Sequence, residues 1–340
     1  MLGIDVPCES GQFGGEAVTA RRVLVTGAGG FVGANLTRKL LVAGHEVSAL
    51  FRPDHTGWRL ADIAGDIRAL TADLTDANSV RSAVQAARPS WIFHLATHGA
   101  YSWERDARRM LDVNILGLAN LLDAALTYEV ERFVNTGSSS EYGVRSSAPS
   151  EDERPEPNSH YGATKAAATM YARFIGRDRR ASIVTLRLYS AYGPWEDPNR
   201  LIPTMILSAM AGRWPPLVSP ETARDFVYVG DVVDAYIRAA TTSVEPGDVF
   251  NIGTGRQSTI REAVETARRL LPIDAEPAWG SMPGRSWDAS TWVADPTRAR
   301  AILDWIPRHD LESGLRETIA WFRENPAMIQ YYESRIANGR

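Results

Sequence analysis

A glycine-rich string directly after a short apolar run limits what this chain can fold into. Residues 22–26 are apolar and β-branched, as in a buried strand, and Phe31, Leu36 and Leu40 then recur at helical spacing. Glycines between a strand and a helix permit a sharp turn, close approach to a pyrophosphate and tight helix packing. This context predicts a dinucleotide site formed by Gly27, Gly29, Gly30, Phe31, Val32 and Gly33.

Strand-like and helix-like segments alternate through the first half of the chain. Near-continuous apolar strands are typical of a parallel sheet with helices on both faces. We therefore predict an α/β fold with a Rossmann-type, doubly wound parallel sheet. Its strands would be residues 22–26, 45–51, 67–71, 91–95, 132–136 and 182–188, and helices would begin near Phe31, Asp76, Glu104 and Tyr161.

The alternation breaks up after Gly193-Pro194, where proline becomes frequent. We expect a mobile N-terminal tail at residues 1–20 and a dinucleotide-binding domain at 21–193, with later segments interleaved. Residues 194–325 would form a smaller, irregular region that mainly binds substrate. Residues 326–340 would be a C-terminal tail or helix.

Composition narrows the possible partners and the compartment. The 340 residues are 44% hydrophobic and 23% charged, with a formal net charge of −4. We therefore expect no nucleic-acid partner, and no membrane partner because no apolar run approaches the roughly 20 residues that span a bilayer. Cys8 is the single cysteine, which fits a reducing cytoplasm. No metal site is predicted.

The end of the second strand indicates which dinucleotide binds. An NAD site usually carries an acid there, which accepts a hydrogen bond from the ribose 2′-hydroxyl. This chain has Phe51 followed by Arg52. Because a guanidinium pairs well with phosphate, we expect NADP(H), with NAD(H) as the alternative if Arg52 is merely solvated. Asp73, after the third strand, is placed to meet the adenine amino group.

Tyr161 and Lys165 stand four residues apart on a predicted helix and therefore share one face. A phenol has a pKa of about 10, and a neighbouring ammonium would lower the Tyr161 pKa. Such a pair can move a proton to or from a carbonyl or alcohol oxygen. Alone it would most often be a surface pair, but here a nucleotide loop and a serine cluster precede it.

These motifs, in this order, resemble the extended short-chain dehydrogenase/reductases of the nucleotide-sugar epimerase, dehydratase and reductase type. The resemblance covers about residues 21–325 and also includes Asp73-Leu74, His94-Leu95-Ala96, Asn114 with Gly117, Ser138 to Gly143 and Arg224-Asp225-Phe226. It implies that Tyr161 is the acid/base, that Ser138 binds the substrate C4 oxygen, and that Lys165 holds the nicotinamide ribose. Asn114 would complete the proton network. The cofactor site would also include Leu74, Leu95, Ala96 and Thr97.

The resemblance further implies a nucleotide-sugar substrate. Ser139 and Ser140 would line the sugar pocket, and Glu141 would either join them or serve as a solvated or strand-capping residue. Arg224 and Arg285 would bind the diphosphate, and Arg200 would face the ligand; each arginine could instead form a surface ion pair. Ser190 stands where the family commonly has a diphosphate-binding asparagine.

Three family reactions compete. A 4,6-dehydratase needs an acidic pair right after its catalytic hydroxyl, where this chain has Ser139 and Ser140. A 4-epimerase returns hydride to the same carbon and usually retains NAD, whereas a 4-ketoreductase exchanges NADPH. Arg52 therefore favours reduction of a nucleotide-linked 4-keto-6-deoxy sugar, with the epimerase as alternative. A non-catalytic dinucleotide sensor is less favoured because Tyr161 and Lys165 are both present.

The helices that carry Asn114 and Tyr161 also predict assembly. Residues expected on their outer faces are apolar or small: Leu111, Ile115, Leu118, Leu122, Ala166, Ala167, Met170 and Phe174. Family members pair these helices with those of a second subunit, so the resemblance implies a homodimer. The alternative is that some of these residues face the sheet and that the second region covers the rest.

Overall fold

The computed structural model describes residues 20–55, 57–101, 103–282 and 291–337. Their strands are β1 (Arg22–Thr26), β2 (Glu46–Phe51), β3 (Arg68–Thr71), β4 (Trp91–His94), β5 (Arg132–Ser138), β6 (Ile183–Leu188), β7 (Ser190–Tyr192), β8 (Ala223–Arg224), β9 (Phe226–Tyr228), β10 (Val249–Ile252) and β11 (Ser258–Thr259). Seven of them form a parallel sheet in the order β3-β2-β1-β4-β5-β6-β10. The predicted doubly wound sheet is confirmed.

The helices of the described residues are α1 (Phe31–Val42), α2 (Ala77–Ala87), α3 (Ala107–Leu111), α4 (Gly117–Thr127), α5 (His160–Arg179), α6 (Leu201–Met210), α7 (Val229–Thr241), α8 (Ile260–Leu270), α9 (Thr297–Leu303), α10 (Leu311–Glu324) and α11 (Pro326–Ala337). A π-helical turn, Asp112–Leu116, joins α3 to α4. Two 3-10 turns, Trp58–Ile63 and Ser139–Glu141, follow β2 and β5.

Both faces of the sheet are covered because successive strand residues point to opposite sides. On one face, Val23 and Val25 of β1 pack in a core with residues of α1 and α7. On the other face, Leu24 packs in a second core with residues of α2, α4 and α5. A third core, around Tyr192 and Tyr332, joins α6, α8, α10 and α11. The carboxyl ends of the parallel strands therefore remain available for a site.

The helical stretch Ala107–Thr127 differs from the sequence-based expectation in two ways. It begins after Asp106, whose side chain caps the backbone N–H of Arg109, rather than at Glu104. By length and composition it is also apolar enough to cross a bilayer, which the expectation had excluded. In the fold it packs on the sheet, with Leu118 and Leu122 at most 1% exposed, so it is a core helix here.

The expected outer faces are only partly correct. Leu118, Leu122 and Ala166 point inward and are buried. Exposed apolar side chains remain on the same helices at Leu111, Leu116, Met170 and Phe174, with exposed fractions of 47%, 47%, 62% and 58%. The apolar surface of these helices is therefore smaller than the sequence suggested, but it is real.

Leu24 provides a test of the central packing. Leu24→Ala removes a side chain with no solvent exposure, and the resulting cavity is expected to lower the free energy of unfolding by roughly 2–5 kcal/mol. Val42→Ala, at a site 81% exposed, is the matched control and should change it by less than about 0.5 kcal/mol. Denaturant unfolding measures both; equal effects would contradict the packing described.

Candidate active site

The glycine-rich turn joins β1 to α1 in a space too small for side chains at two of its glycines. Gly27 has a positive φ of 68°, and a Cβ there would lie 2.6 Å from the Ala96 nitrogen. A Cβ on Gly33 would lie 2.2 Å from the Gly27 oxygen, so only glycine lets α1 approach the turn. Gly30 caps α1 without a side-chain hydrogen bond. Phe31 and Val32 open the helix, whose first N–H groups form a ready anion-binding site.

A cluster of basic side chains lies beside this turn. Arg52 is exposed at the end of β2, and His55 stacks on Phe51 with ring centroids 5.3 Å apart. A Cβ added to Gly29 would lie 1.8 Å from His55 Nε2, a buried atom with no hydrogen-bond partner. Buried Arg59 donates to the Gly29 oxygen at 3.2 Å. Glycines, helix terminus and cations together fit a bound dinucleotide phosphate.

His55 and Arg59 were not predicted from sequence. The signal was present, since Arg52, His55 and Arg59 all follow the second strand within eight residues. Burial, Arg52 and Arg59 lower the His55 pKa, so the imidazole is neutral near pH 7. A bound anion would reverse this effect by favouring the protonated ring.

The other predicted cofactor residues line the neighbouring strand ends. Asp73 accepts hydrogen bonds from the Thr75 N–H and hydroxyl, which lower its pKa and keep it ionised. Leu74 is buried, and the Ala96 N–H donates to the Thr26 hydroxyl at 3.3 Å. Leu95 packs against the core that contains Val23 and Val25, and Thr97 lies two residues further along the chain. Of these residues, Leu95 and Ala96 lie directly against the glycine-rich turn, at the backbone of Gly27.

Tyr161 lies next to the serine cluster, as the sequence predicted. The nearby Ser138 and Thr97 hydroxyls each act to lower the pKa of Tyr161. Burial raises the Tyr161 pKa to about 12, Glu141 adds to the increase, and Arg200 opposes it. The phenol is therefore protonated at neutral pH and can donate a proton.

Lys165 reaches the site differently from the expectation. The residue is 3% exposed, and its ammonium donates to the Thr136 carbonyl within β5. Burial lowers its pKa to about 8, and Glu141 opposes this change. The expected lowering of the Tyr161 pKa by Lys165 is not found in this structure, where the cation that lowers it is Arg200. The physical reason is that the pKa of Lys165, about 8, lies below that of Tyr161, about 12, so the ammonium has lost its charge before the phenol ionises.

Asn114 sits in the π-helical turn, a feature frequent at functional sites. Its Oδ1 accepts from the His98 N–H at 2.8 Å and from the Thr97 hydroxyl at 3.1 Å. Its Nδ2 donates to the His98 oxygen and to Thr164, both at 2.9 Å. Since Thr97 also acts to lower the pKa of Tyr161, Asn114 holds a hydroxyl that influences the phenol.

The serine cluster forms a capped turn at the end of β5. Ser138 Oγ accepts from the Ser140 N–H at 3.1 Å, and Ser139 is buried. Glu141 has no solvent exposure and accepts from Arg187 Nε at 2.7 Å. Of the roles left open for Glu141, the structure shows a capping one, because its side chain forms a capping box with Ser138.

The predicted substrate residues Arg200, Arg224 and Ser190 each have different neighbours. Arg200 lies 3.5 Å from a carboxylate oxygen of Glu196 and acts electrostatically on Tyr161. Arg224 lies over the Trp292 ring at 5.7 Å, and Trp292 borders a small cavity together with Ser139. The Ser190 N–H donates to the Asp225 oxygen at 3.0 Å. Arg285 lies outside the described residues.

Glu196 and Trp292 were not predicted. Glu196 is 4% exposed, and burial raises its pKa to about 8. Its Oε2 atom has no hydrogen-bond partner. Neither residue follows a strand or helix pattern, so no local signal marked them.

The arrangement can protonate or deprotonate an oxygen held between Tyr161 and Ser138. Lys165 and Asn114 fix the surrounding network, and buried His94, with a pKa of about 3, stays neutral beneath it. A nicotinamide dinucleotide, when bound, supplies or accepts the hydride for such chemistry.

Comparisons with known proteins agree with this site. The model of the NAD dependent epimerase/dehydratase family matches residues 23–253. A UDP-glucose 4-epimerase of Mycolicibacterium smegmatis is 31% identical, with 89% of this chain and 98% of that protein covered. A dTDP-glucose 4,6-dehydratase of Streptomyces griseus is 32% identical, with 89% and 94% covered.

A solved structure, the Thermus thermophilus UDP-glucose 4-epimerase in complex with NAD, superposes with a TM-score of 0.77 at 29% identity. It covers 89% of this chain and 99% of its own. The chain therefore belongs to the NAD-dependent epimerase/dehydratase family and is an oxidoreductase-type enzyme of the extended short-chain dehydrogenase/reductases.

Proposed function

We propose that this enzyme uses NADPH to reduce the C4 ketone of a nucleotide-linked 4-keto-6-deoxy sugar, as in deoxysugar biosynthesis. The observation that carries the proposal is the basic end of β2. Arg52 replaces the acid of an NAD site, and His55 and Arg59 add two further nitrogen donors beside Gly29. A 2′-phosphate is the cofactor group that this charge complements.

The state of Tyr161 supports the reductive direction. A reductase needs a proton donor for the alkoxide that forms at C4, and the raised pKa of about 12 keeps the phenol protonated. In the proposed reaction Tyr161 gives this proton while Ser138 hydrogen-bonds the same oxygen. Lys165 and Asn114 hold the cofactor side of the pocket.

A 4,6-dehydratase is disfavoured by the chemistry next to Ser138. The two following positions are Ser139 and Ser140, which lack carboxylates. The nearest acid in sequence, Glu141, is buried and bound to Arg187, so it cannot serve as the missing acid or base.

An NAD-dependent nucleotide-sugar 4-epimerase is the second candidate. The similarity to UDP-glucose 4-epimerases, one of them solved with NAD, favours it. An epimerase keeps its dinucleotide through the whole cycle, whereas a reductase must exchange it. Cofactor retention therefore separates the two candidates.

We propose that the substrate's diphosphate and base bind mainly within 194–325, with Arg200, Arg224, Ser190 and Arg285 as ligands and Ser139 and Ser140 beside the sugar. The dinucleotide would bind mainly within 21–193. A cytoplasmic location is proposed from the single cysteine, Cys8.

The function is tested with purified enzyme and two measurements. Mass spectrometry of the denatured protein identifies any carried dinucleotide, and the loss of reduced-nicotinamide absorbance follows turnover of 4-keto-6-deoxy sugar nucleotides. Net consumption of NADPH supports the reductase. Tightly held NAD, together with interconversion of UDP-glucose and its C4 epimer, would contradict the reductase proposal and support the epimerase.

Tyr161→Phe tests the proton donor. The variant keeps the ring and its packing but loses the hydroxyl, so turnover should fall by about 10²-fold or more. Cofactor affinity, measured by fluorescence titration, should change little. Near-normal turnover would show that the acid lies elsewhere.

Arg52→Ala tests the cofactor choice. Loss of a charge-assisted contact to the 2′-phosphate should weaken NADPH binding by about tenfold or more, while NADH binding stays nearly unchanged. Arg81→Ala, at an exposed arginine on α2, is the control and should alter neither. Equal losses for NADPH and NADH at Arg52 would exclude the NADP preference.

We also propose a homodimer through α3, α4 and α5. Exposed Leu111, Leu116, Met170 and Phe174 support it, and a cavity of about 600 Å³ beside Met170 and Phe174 can admit side chains of a second copy. An apolar face of this kind usually has a cover.

Light scattering at micromolar concentration tests the assembly, with twice the chain mass of 37.4 kDa expected. Met170→Glu combined with Phe174→Glu should shift the mass toward one chain by placing charges in the interface. A single-chain mass for the unaltered, active protein would rule out the dimer.

A further inference from the structure

We propose that Glu141 is a positioning residue for catalysis: its buried ion pair with Arg187 fixes the backbone of Ser138 and, through it, the direction of the Ser138 hydroxyl. The inference rests on the catalytic role proposed for Ser138. It does not depend on which sugar is reduced or on which dinucleotide is used.

The carboxylate of Glu141 holds Ser138 directly. Its Oε1 atom accepts from the Ser138 N–H at 2.8 Å and from the Thr169 hydroxyl at 2.9 Å. Ser138 Oγ in turn accepts from the Ser140 N–H. Ser138 and Glu141 together form a capping box around this turn. A Cβ on Gly137 would lie 2.7 Å from Oε1, so the glycine before Ser138 makes room for this carboxylate.

Arg187 anchors the carboxylate from the neighbouring strand. Its Nε donates to Glu141 Oε2 at 2.7 Å, and both side chains are at most 3% exposed. A second guanidinium nitrogen, Nη1, donates to the Tyr142 hydroxyl at 2.7 Å and to the Glu151 carbonyl at 3.1 Å. The Tyr142 hydroxyl donates to Asn251 of β10 at 2.7 Å. The cluster therefore connects β5, β6, β10 and, through Thr169, α5.

The buried Glu141–Arg187 ion pair and the hydrogen bond from Ser138 to Glu141 contribute differently to the structure. Removing two charges from water costs several kcal/mol per ion, and well-packed apolar side chains often replace such pairs without loss. An apolar residue at 141, however, would leave the buried Ser138 N–H without its acceptor. The ion pair therefore holds the backbone of Ser138, the residue whose hydroxyl is proposed to contact the substrate.

The same carboxylate acts on the two titrating groups of the site. Glu141 raises the pKa of Tyr161 and that of Lys165. It therefore favours the protonated phenol and the ammonium. Arg187 balances the negative charge of this carboxylate through the ion pair.

A double-mutant cycle tests the proposal. Glu141→Gln keeps an acceptor for the Ser138 N–H but places an amide opposite Arg187. We expect kcat to fall by about five- to tenfold or more, with the KM for the sugar nucleotide within about threefold. In the Ser138→Ala background the same change should lower kcat by only about twofold, because no hydroxyl remains to be positioned and only the effect of Glu141 on the pKa values of Tyr161 and Lys165 persists.

Asp248→Asn is the matched control. Asp248 is also a buried carboxylate, 6% exposed and 2.6 Å from a nitrogen of Arg298. It should lower the thermal midpoint as Glu141→Gln does, while kcat stays within about twofold. Thr169→Val, which removes one hydrogen bond from Oε1, provides a milder variant if Glu141→Gln does not fold. It should show a smaller kcat loss that again shrinks without the Ser138 hydroxyl.

Two results would overturn the inference: an unchanged kcat in both Glu141→Gln and Thr169→Val, or equal losses with and without the Ser138 hydroxyl. Failure of the catalytic role proposed for Ser138 looks different. In that case Ser138→Ala itself leaves kcat unchanged, whatever the variants at 141 do.

Discussion

The parallel pairing of β4, β5 and β6 is the constraint on which the active site depends. Because the strands run in the same direction, their carboxyl ends meet at one edge of the sheet. Thr97 follows β4, Ser138 ends β5 opposite Leu188, and Ser190 follows β6. A reversed strand would carry its hydroxyl to the opposite edge. The fold therefore selects which residues can meet before any side-chain chemistry is considered.

Burial then gives these groups their chemical character. Lys165 and Tyr161 lie where water is largely excluded, so the pKa of the ammonium falls and that of the phenol rises. Glu141 and Arg187 place a full ion pair behind the same site. The protein thus holds several ionisable groups in its interior, each with a partner from a different element. Such an arrangement requires backbone positions that do not drift, which a seven-stranded sheet provides.

Much of the architecture could be predicted because it depends on local patterns. The strands of the sheet are apolar runs, and the glycine-rich turn marks its own place between β1 and α1. Tyr161 and Lys165 share a face because helical geometry alone puts residues four apart together. Helix α9 and the short strands β7, β8 and β11 could not be predicted this way. They carry few apolar residues in a regular period and are held by contacts with distant segments.

The sequence by itself determined which segments form the main strands, where the nucleotide turn lies and which residue is the candidate proton donor. Spacing along the chain decides all three. Only the tertiary structure decided that Lys165 meets the Thr136 carbonyl, that His55 and Arg59 flank Gly29, and that Glu141 pairs with Arg187. Arg187 is 46 residues beyond Glu141. The partner of a buried charge is chosen by which strands and loops pack together, and a distance of this kind leaves no periodic signal in the sequence.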